Sequence, residues 1–80
     1  MTNGSRSHQS SVQKALGDRI RERRKINGWS KLGDFAGACR INRIYMGEIE
    51  RGESNVSLAK LVVIARKLKI TIANLFDGIA

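Results

Sequence analysis

"INRIYMGEIERGE", residues 41–53, reads as one helix with two unlike faces. Wound at 100° per residue from Asn42 to Arg51, it gathers Tyr45, Met46 and Ile49 into the stripe of a helix packed on a core. The opposite face carries Arg43, Ile44, Gly47 and Arg51. A face meant only for water holds Lys, Glu, Gln and Ala. A bulky aliphatic, two arginines and a helix-weakening glycine suit a face that meets something else. Asn42 is a good N-cap, and Gly52 after Arg51 supplies a left-handed stop.

The flanking sequence has the same texture. Upstream, a short helix is expected over Lys31–Cys39, with Ser30 as N-cap and Phe35, Ala36 and Cys39 inside. Gly33 and Gly37 weaken it, by ~1 kcal/mol each against alanine. Ile41 falls in the turn and plugs the core. Before it, Ser11–Ile26 repeats apolar residues at Val12, Leu16 and Ile20 and stops at Asn27-Gly28. Arg24 is next on that stripe, a charge at a buried position. Downstream, "ESNVS" is a loop, Ser57 caps a helix over Leu58–Leu68, and Thr71 caps a last short helix over Ile72–Phe76. "LVVIA" is β-branched enough for a strand but lies inside this capped helical frame, so no strand is expected. The fold class is all-α, with five helices. Residues 1–10, polar and without periodicity, are expected to form a flexible arm; residues 11–80 form the domain.

Eighty residues allow one domain, small but adequate for a helical core. Fifteen Lys and Arg against seven Asp and Glu give a formal charge of +8, which points to a polyanion partner, nucleic acid ahead of an anionic membrane. Cys39 has no second cysteine to pair with, which fits a reducing compartment. No apolar run approaches the ~20 residues of a membrane span, and the N-terminus lacks a signal-peptide stretch, so a cytoplasmic protein is expected. Asn3-Gly4-Ser5 matches a glycosylation acceptor by chance. His8 stands alone in the arm. No metal-ligand cluster, nucleophile–base pair or phosphate-cradling loop occurs, so no enzyme, metal or cofactor is expected.

Two short helices joined by a very short turn, the second with an odd outer face, have the layout of a helix-turn-helix. The first turn of a recognition helix reaches base edges. Arg43 there suits guanine O6 and N7, Ile44 a thymine methyl, and Gly47 leaves room for a groove wall.

The segments "LGDRIRERRKINGWS", "DFAGACRINRIYMGEIERGE", "VSLAKLVVIARKLKI" and "IANLF" resemble the lambda-repressor/Cro-like (Xre) helix-turn-helix family over about residues 14–77. Within it, "NRIYMGEIERGESN" looks like the controller proteins of restriction–modification systems, small dimeric autoregulators. The resemblance implies a base-reading surface of Asn42, Arg43, Ile44, Gly47 and Glu48. It implies phosphate contacts from Lys31, Tyr45, Arg51, Ser54 and Asn55; Arg40 and Arg21, which match no fixed family position, are expected as additional phosphate contacts. It also implies a partly buried ion pair between Arg24 and Glu50. "SKLGDFA" has one residue more than the family's usual spacing, which bears on Lys31, and Glu48 is an unusual group for a DNA face.

Leu58, Leu61, Ala65 and Leu68 suffice for a core stripe on the fourth helix. Val62, Val63 and Ile64 exceed what one copy can bury, and Ile72, Phe76 and Ile79 add apolar surface. A homodimer interface is therefore expected at Val62, Val63, Ile72, Phe76 and Ile79. Two recognition helices would then lie ~34 Å apart on double-stranded DNA, matching a near-palindromic site. The competing expectation is an antitoxin-type module whose apolar helices bind a partner toxin.

Overall fold

The computed structural model describes residues 3–79, with side chains from Ser11 onward. Five helices follow in order: α1 (Asn3–Ile26), α2 (Leu32–Cys39), α3 (Arg43–Arg51), α4 (Leu58–Lys67) and α5 (Ile72–Leu75). No strand occurs among the described residues. The all-α expectation holds. α1 begins at Asn3 rather than Ser11, so the backbone of most of the expected arm continues the helix. Residues 1 and 2, and the side chains of residues 1–10, lie outside the described residues.

Side-chain caps start three helices as expected. Asn42 Oδ1 accepts from the N–H groups of Ile44 at 2.8 Å and Tyr45 at 3.2 Å. Ser57 Oγ accepts from Lys60 N, and Thr71 Oγ1 from Asn74 N. α2 departs from this. Its N-cap is Lys31, which makes no side-chain cap bond. Ser30, the expected cap, instead offers its carbonyl to the Arg24 guanidinium at 3.2 Å.

α2, α3 and α4 end alike, with paired 5→2 and 6→1 backbone hydrogen bonds around a left-handed residue. α1 ends the same way at Gly28, with φ 88°, and among α2, α3 and α4 glycine holds that position only after α3, at Gly52, with φ 75°. A Cβ there would also meet Lys14 Cα at 2.7 Å, so the approach of α1 excludes a side chain as firmly as the dihedral does. Arg40 and Lys69 take the same place after α2 and α4 at φ 57° and 59°.

Phe35, Ile20, Met46, Ile49, Ile64, Leu68 and Leu75 are fully buried, with Leu16, Ala36, Cys39, Ile41, Leu61 and Ala65 around them. One expectation fails on α4. Leu58 is 70 % exposed and Ile64 is 0 % exposed. The buried stripe runs 61, 64, 65, 68, and Leu58 in the first turn lies off it. Trp29 extends the core by meeting Phe35 edge-on, with ring centroids 5.7 Å apart.

α1 crosses α3 at unusually close range. A Cβ on the buried Gly17 would stand 2.4 Å from the Ile49 carbonyl oxygen and 2.6 Å from that of Glu50. Two turns along, Arg24 Nε and Nη2 donate to Glu50 Oε2 and Oε1 at 2.8 and 3.1 Å. Arg24 Nη1 donates to the carbonyls of Trp29 and Ser30. Both partners are buried, as the resemblance implied. Arg19, unremarked in the sequence, donates to the carbonyls of Asn74, Leu75 and Asp77 and so fastens the end of α5 to α1.

Gly17→Ala should destabilise the domain by about 2–3 kcal/mol in urea denaturation, because the obstructing atoms are backbone. Gly37→Ala, at a helical site with open space around it, should stabilise by up to ~1 kcal/mol. Glu50→Ala should cost ~3–5 kcal/mol by stranding Arg24. An unchanged melting temperature would refute the Glu50 assignment.

Candidate nucleic-acid interface

The cap at Asn42 fixes where α3 begins, and the first two helical residues, Arg43 and Ile44, project from it exposed. Ile44 is 70 % exposed, a large apolar side chain held in water. The Arg43 stem runs past Gly33 of α2, with Cδ 3.4 Å from where a Cβ would sit. The side chains at this tip are free while the backbone beneath them is bonded.

Gly47 is not the open gap expected. It is buried: a Cβ would meet Arg51 Nη1 at 3.1 Å and Leu32 Cδ2 at 3.4 Å. Its first use is to let Leu32 of α2 and the Arg51 side chain close over α3. The result is a hollow of about 230 Å³ lined by Leu32, Arg43, Ile44, Gly47 and Arg51. An adjoining hollow is lined by Arg21 and Arg24 of α1 with Leu32, Gly47, Glu50 and Arg51. Sequence reasoning missed Leu32, and its position three residues before the obvious core residue Phe35 was the available signal.

The loop after α3 is tied down at several points. Tyr45 Oη donates to the Asn55 carbonyl at 2.6 Å, and Gln13 Nε2 of α1 donates to Asn55 Oδ1. Ser54 Oγ donates to Glu48 Oε1 at 2.9 Å. Glu48 therefore faces the loop and holds it, which accounts for an acidic residue at this edge of α3. Arg51 pairs with Glu53 at 3.0 Å, both exposed. That hydrogen bond raises the Arg51 pKa and holds the Glu53 carboxyl below its ordinary value.

The other expected residues are dispersed. Lys31 is exposed at the start of α2. Arg40 is exposed but lines a separate groove with Ile41, Lys60, Val63 and Lys67. Cys39 lies at that groove, buried, and burial pushes its thiol pKa up. Of the five residues expected at a dimer interface, Val63 belongs to this groove, whereas Phe76 lines a different hollow with Val12, Leu16 and Leu61. Val62, Val63, Ile72, Phe76 and Ile79 are all half-buried. No helix among the described residues is long and apolar enough to cross a membrane.

Residues 20–75 match the profile of a helix-turn-helix family. The chain belongs to this helix-turn-helix family. It is 39 % identical over 64 residues to the HTH-type transcriptional regulator DdrOP3 of Deinococcus deserti, covering 80 % of this chain but 49 % of that protein. The chain thus spans about half the length of that relative. It is 32 % identical over 66 residues to the control protein C.SmaI of Serratia marcescens, covering 80 % of this chain and 75 % of the relative. Its fold matches the crystal structure of the restriction–modification controller protein C.AhdI from Aeromonas hydrophila with a TM-score of 0.75 and 34 % identity, over 80 % of this chain and 96 % of that one. In this helix-turn-helix, α2 and α3 are the two helices and Arg40–Asn42 the turn.

The Arg51–Glu53 pairing contributes above the ordinary carboxylate pKa and is lost as pH falls through the lowered Glu53 value. A carboxyl-detected NMR titration should place Glu53 below the ordinary ~4.3, and Arg51→Ala should return it there. An identical midpoint in both proteins would show the pair is not formed in solution.

Proposed function

We propose that this chain is a sequence-specific DNA-binding transcriptional regulator of the controller type. In this reading it acts as a homodimer in the cytoplasm, places α3 in the major groove of a near-palindromic operator and regulates its own expression. The observation that carries the reading is the exposed pair Arg43 and Ile44 on the first turn of a capped, anchored helix. One presents a bidentate donor for guanine and the other an apolar contact for a thymine methyl. The formal charge of +8 supports it, as does similarity to proteins named as regulators and controllers.

The remaining roles follow from position. Asn42 keeps its amide nitrogen for a base edge while its oxygen caps the helix. Lys31, Arg21 and Arg51 flank the α3 face as phosphate ligands. Ser54, Asn55 and Tyr45 present a preformed loop to the backbone. Arg40 contacts phosphate from the turn. Val62, Val63, Ile72, Phe76 and Ile79, all half-buried, supply the dimer face, and a second copy doubles the phosphate contacts. No catalytic role is assigned to any residue.

Selection of the purified protein against a random duplex library at near-physiological salt should enrich a palindrome with half-sites about one turn apart. Absence of enrichment by folded protein would overturn the reading and turn the search to a protein partner. On the selected site, Arg43→Ala should lose ~1–3 kcal/mol of discrimination at one base step. Arg51→Ala should weaken cognate and random DNA alike and flatten the salt dependence.

A further inference from the structure

We propose that the hollow between α2 and α3 reads the 5-methyl group of a pyrimidine, so that 5-methylcytosine is accepted there as thymine is. The inference rests on the DNA-binding reading above and adds two things to it: a base-reading role for Leu32, which lies outside the recognition helix, and a sensitivity to cytosine methylation.

Leu32, Ile44 and Gly47 line the hollow together with Arg43 and Arg51. Leu32 and Ile44 offer only carbon to it, and Gly47 adds no side chain. Leu32 is half-buried and held in place, with Cδ2 within ordinary van der Waals reach of a Cβ position on Gly47. Ile44 stands 70 % exposed on the other side. Arg43 and Arg51 supply the charged part of its lining. Arg51 is already paired with Glu53, so its guanidinium has a partner outside the hollow. Among the described residues Arg43 has none, which leaves it to a guanine neighbouring the methylated base. A volume of about 230 Å³, open to solvent, is ample for a methyl group and the edge of its ring.

The physical gain is removal of one methyl group from water, about fourfold in affinity per half-site, or ~0.8 kcal/mol. That term depends on the methyl and not on the ring's hydrogen-bonding edge. Thymine against uracil and 5-methylcytosine against cytosine should therefore show the same ratio at the same position. A protein with such a hollow responds to methylation of its operator without any dedicated domain.

The test uses the full chain and its selected site. Thymines are replaced one at a time by deoxyuridine, and the same positions are then filled with cytosine or 5-methylcytosine. One position per half-site should give a thymine-to-uracil affinity ratio near four and a matching 5-methylcytosine-to-cytosine ratio. Leu32→Ala should bring both ratios close to one. Ile44→Ala, at an exposed site where folding is not at stake, should lower them as well. Ratios of one at every position in the unmodified protein, or ratios that survive both substitutions, would overturn the methyl reader and leave DNA binding intact. Failure to select any site would remove both readings together.

Discussion

Arg24 leaves α1 and divides four hydrogen bonds between two other parts of the chain. Two reach the Glu50 carboxylate near the end of α3, and two reach the carbonyls of Trp29 and Ser30 on the way into α2. It does so while 5 % exposed. A planar guanidinium serves both directions at once, and a lysine ammonium in its place would lose the bidentate match to Glu50. The pair adds little net stability, because desolvating two charges offsets most of their attraction. Its contribution is geometric. It satisfies two carbonyls of the α1–α2 connection and holds the end of α3 at one setting relative to α1. No buried side-chain nitrogen or oxygen among the described residues lacks a partner, so the arrangement is closed.

That setting is shared with two glycines where α1 meets α3. Gly17 lets the α1 backbone rest against the Ile49 and Glu50 carbonyls, and Gly52 lets the end of α3 pass Lys14. The Tyr45, Gln13 and Ser54 hydrogen bonds then carry the same rigidity into the loop at residues 53–56. The backbone of α3 is therefore gripped at its N-cap, along its inner face and at its C-terminal turn. Arg43 and Ile44 are left reaching outward from a fixed base. Holding the backbone beneath them in place before a ligand arrives lowers the ordering cost of binding.

What the sequence disclosed follows from which constraints are local. Caps at Asn42, Ser57 and Thr71 depend on one side chain and the next three residues, and each is where the pattern placed it. The Arg24–Glu50 pair is nonlocal, and resemblance to a known family supplied it where periodicity showed only an odd charge. Gly17 and Arg19 act across the fold and leave no periodic trace. The left-handed residues at Arg40 and Lys69 were hidden because a neighbouring core residue, Ile41 or Ile70, forces the turn despite an unfavourable side chain. Leu58 and Ile64 were exchanged because both lie near the edge of an apolar face too wide to rank by spacing. At the candidate site, Arg43 and Ile44 were legible as outward residues. Gly47 was not, since its cover comes from Leu32 on another helix.

A chain with eight excess positive charges has an affinity for any DNA, and backbone attraction carries no sequence information. Discrimination then needs groups at the groove face that gain nothing from a phosphate. Ile44 and Leu32 are such groups, apolar and adjacent. The acidic residues work in the same direction. Glu53 occupies Arg51, so a phosphate must compete for that guanidinium. Glu48, bonded to Ser54, sets a negative charge close to the loop. Random duplex thus meets a surface whose cations are partly engaged and whose apolar hollow is unfilled. In the reading proposed above, a matching site adds a bidentate contact to Arg43 and the burial of Ile44. The difference between those two states, and not the total charge, is what sets a specificity ratio.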